Sequence, residues 1–179
     1  DFMTGYYYGA MQWGMDNDAE VTVLGWDPAN PDGGDFMGGF APNNPEGLAI
    51  AKTQIQAGAD VILPVGGNQF TSVQAAIDEL NPEAVMLGVD VDIAAGNPDL
   101  ANYILTSIEK RMAIATFDVI KALVDGAAFD ATPYVGTLAN KGVALSPFAA
   151  FESKLSSGLA SRLAEIEAGI IDGTYKPKG

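Results

Sequence analysis

Apolar residues recur along this chain with two different periods, and the points where the period changes divide it into elements. In "FMTGYYYGAMQWG" the positions Phe2, Tyr6, Ala10 and Trp13 fall at helical spacing, with the small Gly5 and Gly9 between them, which predicts a helix from about Phe2 to Met15. β-Branched residues then crowd "EVTVLGW", predicting a strand from Glu20 to Gly25. The stretch from Trp26 to Asn44, dense in Gly, Pro, Asp and Asn, reads as a long loop. Pro45 suits a first helical turn, Leu48, Ala51 and Ile55 share a face, and Gly58 supplies a stop, so a helix follows. "DVILPV" predicts an apolar strand, "GGN" a tight turn, "FTSVQAAIDEL" a helix through Phe70, Val73, Ile77 and Leu80, and "EAVMLGVD" a second buried strand.

In the second half, Tyr103 to Leu105 reads as a strand that enters a long helix through a capping box, Thr106 to Glu109. That helix is apolar around most of its girth, which predicts that it is well covered. "PYVGTLANKGVALSPF" predicts a strand pair around a turn at Asn140 to Gly142. A last helix, from about Phe151 to Ile171, carries Leu155, Leu159, Leu163, Ile166 and Ile170 on one stripe and ends in a polar tail, "DGTYKPKG".

Alternating strands and helices, with strands apolar on both faces, point to an α/β fold whose parallel sheet is flanked by helices and joined by right-handed crossovers. Such sheets gather their ligand loops outside the carboxyl ends of the strands, here after Trp26, Gly66 and Asp90. The chain starts on a helix, whereas open α/β folds more usually begin with a central strand, so a fragment is expected.

The 179 residues, 48% of them hydrophobic, are enough for one domain or two small lobes. With 23 acidic against 9 basic residues the formal charge is −14, which opposes a nucleic-acid partner or an anionic membrane surface. No apolar run reaches the ~20 residues of a membrane-spanning helix. The chain has no histidine and no cysteine, so thiol nucleophiles, Ser-His-Asp triads and His/Cys zinc sites are excluded. Carboxylate pairs, lysine, tyrosine or a hard metal on oxygen ligands remain for any chemistry.

The candidate site starts from "LGVDVD". Asp90 and Asp92 lie two apart, so in an extended strand they share a side, and if the strand ends at Asp90 only that acid enters the loop cleft. The carboxylates either accept hydrogen bonds from a pair of ligand hydroxyls, Asp90 foremost with Asp92 shaping the turn beside it, or belong to a solvated turn or a helix N-cap. A Mg²⁺ or Ca²⁺ site lacks the further ligands it needs, since "VDVDIAAGNPDL" adds only Asp99, and no metal is expected. In "PVGGNQF", Gly66 and Gly67 permit close backbone approach and Asn68 opens a helix start. Trp26, Phe36 and Phe40 either stack on a flat ligand ring or anchor their loop on the core. Lys110 and Arg111, read as the first turn of a helix, stand where the macrodipole disfavours cations, which a polar partner or a ligand would explain.

"GADVILPVGG", "MLGVDVD", "ILTSIEKRMAIATFDVIKAL" and "NKGVALSPF" followed by "IIDGTYKP" resemble, in order and spacing, the basic membrane protein family. These are purine-nucleoside-receptor-like substrate-binding lipoproteins of ABC importers. The resemblance implies a type I periplasmic-binding-protein fold, with one lobe and part of the second present and the N-terminal part missing. Residues 1–106 would form most of the second, C-terminal lobe. Residues 107–130 would be a crossover helix of the first lobe, and 131–179 return strands and the C-terminal helix. It further implies an extracytoplasmic location, a lipid anchor outside this chain, a permease partner, no cofactor and no catalysis. The ligand would be nucleoside-like, with Asp90 on ribose hydroxyls, Lys110 adding polar contacts and Gly66 and Gly67 close to it. Alternatives within the fold are the effector domain of a transcription regulator, or a binding protein for riboflavin or a sugar. An enzyme using Asp90 and Asp92 is a further class, testable by turnover.

Overall fold

The computed structural model describes residues 2–176. Helix α1 (Phe2–Asp16) opens the chain, and a long loop containing a short 3-10 turn, Pro31–Gly33, leads to α2 (Pro45–Gln56). Then follow β1 (Val61–Ile62), α3 (Phe70–Leu80), β2 (Val85–Asp90), the short α4 (Ile93–Gly96) and β3 (Ile104–Lys110). Helix α5 (Met112–Val124), strand β4 (Val143–Leu145), a 3-10 turn at Ala149–Lys154 and α6 (Leu159–Asp172) complete the described chain.

The four strands form one sheet in the order β1-β2-β3-β4. β1, β2 and β3 are parallel, with Val61 opposite Val85 and Asp90 opposite Glu109. β4 joins antiparallel, Lys110 lying opposite Val143. The mixed α/β architecture is as expected, and so are α1, α2 and α3.

α2 forms where the sequence supplies both a cap and an apolar stripe. Asn44 accepts a hydrogen bond from Glu46 N, Pro45 occupies the first turn of α2, and Ala51 and Ile55 turn inward. α3 buries Phe70, Val73, Ala76 and Ile77. Together with Ile62, Met86, Ile93, Leu100 and Ile104 they make the core, in which Ala76, Ile77 and Met86 have no exposed surface. Burying each of the large side chains is worth about 1.5–3 kcal/mol. At Gly88 the backbone of β2 passes so close to β3 and α4 that an added Cβ would lie 2.2 Å from Ser107 Oγ and 2.7 Å from Ile93 Cγ1.

Six expectations are corrected. Residues 20–24 belong to no strand, because β-branched residues favour extension while a strand also needs a hydrogen-bonded neighbour, and no ladder among the described residues reaches them. β1 stops at Ile62, two residues before Pro64, which has no N–H to donate. Thr106 to Glu109 is not a capping box. β3 runs on to Lys110, Thr106 donates its hydroxyl to Ser146 O at 2.7 Å, and α5 begins only at Met112, with Arg111 at its N-cap position. Lys110 therefore sits on a strand end, not in a first helical turn.

Nor is α5 covered. It has no buried residue, and Met112, Phe117, Ile120 and Val124 are exposed. Of the expected strand pair only β4 forms; its would-be partner passes over Gly142 at Gly136, too close for side chains. Finally, the last helix starts at Leu159. Phe151 to Lys154 lies in the 3-10 turn, and Leu155, Ser156, Ser157 and Gly158 break the stripe. The end of the polar tail, residues 177–179, lies outside the described residues.

Candidate functional site

The carboxyl ends of the parallel strands converge on Asp90 and Lys110. β2 ends at Asp90, whose φ of 73° turns the chain sharply out of the sheet. β3 ends at Lys110, beside Glu109, the residue paired with Asp90. Lys110 Nζ lies 2.7 Å from Asp90 Oδ1. Their side chains are 53% and 42% exposed, so this ion pair contributes only ~0.2–1 kcal/mol. The ammonium also stands 4.9 Å from the centre of the Phe2 ring, a cation–π contact that brings the start of α1 to the same place.

Asp90 Oδ1 is itself shielded from solvent, and its partner is the Lys110 ammonium at 2.7 Å. Two residues on, Asp92 caps α4, accepting from Ala95 N at 3.0 Å. The two acids thus do different jobs: Asp92 Oδ1 is held by the backbone of α4, whereas Asp90 Oδ1 faces the Lys110 ammonium.

After β1 the chain turns at Gly66 and Gly67, with φ of 146° and 49°. Phe40 covers this turn, its ring 3.2 Å from where a Gly66 Cβ would be and its carbonyl 3.1 Å from that of Gly67. The Phe40 side chain is nonetheless 77% exposed, so it lies on the turn without being buried by it. Asn68 is exposed, and its carbonyl accepts from Thr71 Oγ1 at 3.0 Å. Trp26 meets Phe36 edge to face at 6.4 Å, and its indole N–H is buried without a partner among the described residues.

The structure therefore groups the predicted residues as Asp90 with Lys110, and as Phe40 with Gly66 and Gly67. Trp26 stands with Phe36 in the loop, and Asp92 serves α4.

Sequence reasoning missed Gln69. It is fully buried and donates from Nε2 to Ala41 O at 2.9 Å and Gly39 O at 3.4 Å, which ties the Phe40 loop over the glycine turn. A glutamine before an apolar helix carries no periodic signal. Also missed was a buried hydroxyl network behind the site. Ser146 Oγ accepts from Ser107 N at 2.8 Å, and Ser107 Oγ accepts from Ile93 N at 3.2 Å, so β3, β4 and α4 are fixed to one another. Chemically the cluster offers a carboxylate acceptor, an ammonium donor, an aromatic face and a turn that admits close backbone approach. Among the described residues no group of three or more acidic side chains stands close enough to hold a metal ion.

Comparison with known proteins agrees with this architecture. A solute-binding protein of an ABC transporter system from Aeropyrum pernix K1 superposes with a TM-score of 0.69 at 22% identity, over 98% of this chain and 52% of its own. One from Conexibacter woesei DSM 14684 superposes with a TM-score of 0.59 at 18% identity, over 78% of this chain and 44% of its own. The chain thus spans about half the length of the solved structures it matches. At these identities the likeness is one of fold. No curated protein matches the sequence. The model of the Bmp family, described as "ABC transporter substrate-binding protein PnrA-like", matches residues 38–168, which include every predicted site residue except Trp26 and Phe36. The chain belongs to the Bmp family of PnrA-like substrate-binding proteins of ABC transporters.

Proposed function

We propose that this chain is the ligand-binding part of an extracytoplasmic solute-binding protein that captures a nucleoside-like molecule and hands it to an ABC importer permease. The observation that carries the reading is the Asp90–Lys110 pair, a carboxylate and an ammonium side by side at the carboxyl ends of parallel strands, in a member of this family. Asp90 accepts from a pair of ribose hydroxyls and Lys110 donates to a neighbouring oxygen. Phe40 stacks on the base, while Gly66, Gly67 and Asn68 let the ligand approach the backbone. Trp26 lends a further aromatic wall, and Asp92 holds the turn in which Asp90 sits.

Residues 1–106 supply most of one lobe, the stretch 107–130 with α5 enters the other, and 131–179 return. The apolar, uncovered surface of α5 suits such a helix. The protein carries out no reaction on its ligand, and it is held at the membrane by a lipid anchor outside this chain.

Calorimetric titration of the intact protein with purine nucleosides, riboflavin and simple sugars tests the ligand class. Saturable binding of a nucleoside in preference to the others is expected. Preference for riboflavin or a sugar, or binding of none of the three, would contradict it.

A further inference from the structure

Gln69 has no exposed surface, although it stands between the exposed Asn68 and the first residue of α3. Its Nε2 donates to Ala41 O at 2.9 Å and to Gly39 O at 3.4 Å, the carbonyls on either side of Phe40. Its Oε1 is buried and accepts no hydrogen bond among the described residues. That oxygen and Met37 Sδ both lie 3.0 Å from where a Gly47 Cβ would be, so it faces the first turn of α2 and a thioether. Burying an amide oxygen without a donor is unfavourable. A methionine of similar shape would avoid that cost, so what glutamine alone supplies at this position is the pair of bonds to the Phe40 loop.

The tip of that loop has little else to hold it. Asn44 Nδ2 donates to Met37 O at 2.9 Å and closes the base, where Asn43 N also donates to Thr71 Oγ1 at 2.9 Å. Gly38 and Asn43, with φ of 67° and 55°, turn the chain at either end of the tip. Between them, residues 39–42 make no backbone hydrogen bond among the described residues, and the Phe40 ring is exposed. A tip of this kind keeps its conformational freedom unless a side chain fixes it, and Gln69 fixes the backbone on both sides of the ring.

We infer that Gln69 is a positioning residue, whose amide holds the Phe40 ring against the Gly66–Gly67 turn before any ligand arrives. This role rests on the proposed stacking of a ligand ring on Phe40, and it adds to that stacking a source of affinity. A ring already in place contributes its contact without the cost of ordering the loop on binding. Gln69 itself is buried beneath the loop and acts through the carbonyls of Gly39 and Ala41.

Two measurements test the role, the first without ligand. In the ligand-free intact protein, NMR relaxation of the Gly39, Phe40 and Ala41 amides should give order parameters of about 0.85, falling below ~0.6 in Gln69→Met. A tip already mobile in the parent, or equally rigid in the variant, would overturn the inference. The second is calorimetric titration with a purine nucleoside. Affinity should fall ~10-fold in Gln69→Met, and adding Gln69→Met to Phe40→Ala should cause no further fall. A fall of the same size in the Phe40→Ala background would show that Gln69 acts on the fold at large, and would equally overturn the inference. If the parent binds no nucleoside, the ligand assignment fails, and the relaxation measurement still decides whether Gln69 holds the loop.

Discussion

Asp90 holds a left-handed backbone position that asparagine also tolerates, so Asp90→Asn removes the charge and leaves the turn intact. It is the substitution that separates a binding role from a structural one. Gly88, two residues earlier, has the opposite character, because no side chain fits there. Gly88→Ala would drive a Cβ into Ser107 Oγ and Ile93, both buried, and is expected to cost about 1–3 kcal/mol. A lower urea midpoint at unchanged m-value would register it; an unchanged midpoint would mean that β2 and β3 can move apart. Asp90 was legible in the sequence because an acid ending an apolar run marks a strand's carboxyl end. Two residues that support the site were not. Phe2 and Gln69 reach the site through α1 and the Phe40 loop, across sequence distances that no local pattern records.

β2 and α3 were legible because each meets its partners within the described chain, so burial follows the sequence pattern. β3 was mistaken in part because Thr-x-x-Glu reads equally well as a capping box and as alternate positions of a strand. The period-two run Ile104, Thr106, Ile108 was the better signal, and the antiparallel β4 with its Ser146 contacts decided the outcome. Segment 20–24 and α5 escaped for the converse reason: their patterns are strong, but the surfaces that would satisfy them are not among the described residues. The anchoring of α1 yields a pH prediction. Burial, and secondarily the nearby Asp60 carboxylate, push the Tyr6 hydroxyl above its ordinary pKa of 10.0. A raised folded-state value means that the neutral phenol stabilises the fold fully below pH 10.0 and that this contribution is lost as pH rises toward and through the folded-state pKa. Melting temperature should therefore fall more steeply above pH 10 in the parent than in Tyr6→Phe; parallel profiles would show that Tyr6 titrates freely.

Taken whole, a chain of formal charge −14 repels polyanions, which accords with the neutral, hydroxyl-rich ligand proposed above. Closure of two lobes over such a ligand would exclude water from Asp90 and Lys110, strengthening contacts that are weak while half exposed. Each charge-assisted bond would then be worth about 1.5–3 kcal/mol. The most direct test is calorimetric titration of a purine nucleoside into the intact protein and its Asp90→Asn variant, with matched melting temperatures as the control for folding. Affinity should fall ~10- to 100-fold in the variant, the loss expected when a charged acceptor becomes neutral. Equal affinity in the two proteins would contradict the assignment of Asp90 as the hydroxyl acceptor, and with it the central claim about the site.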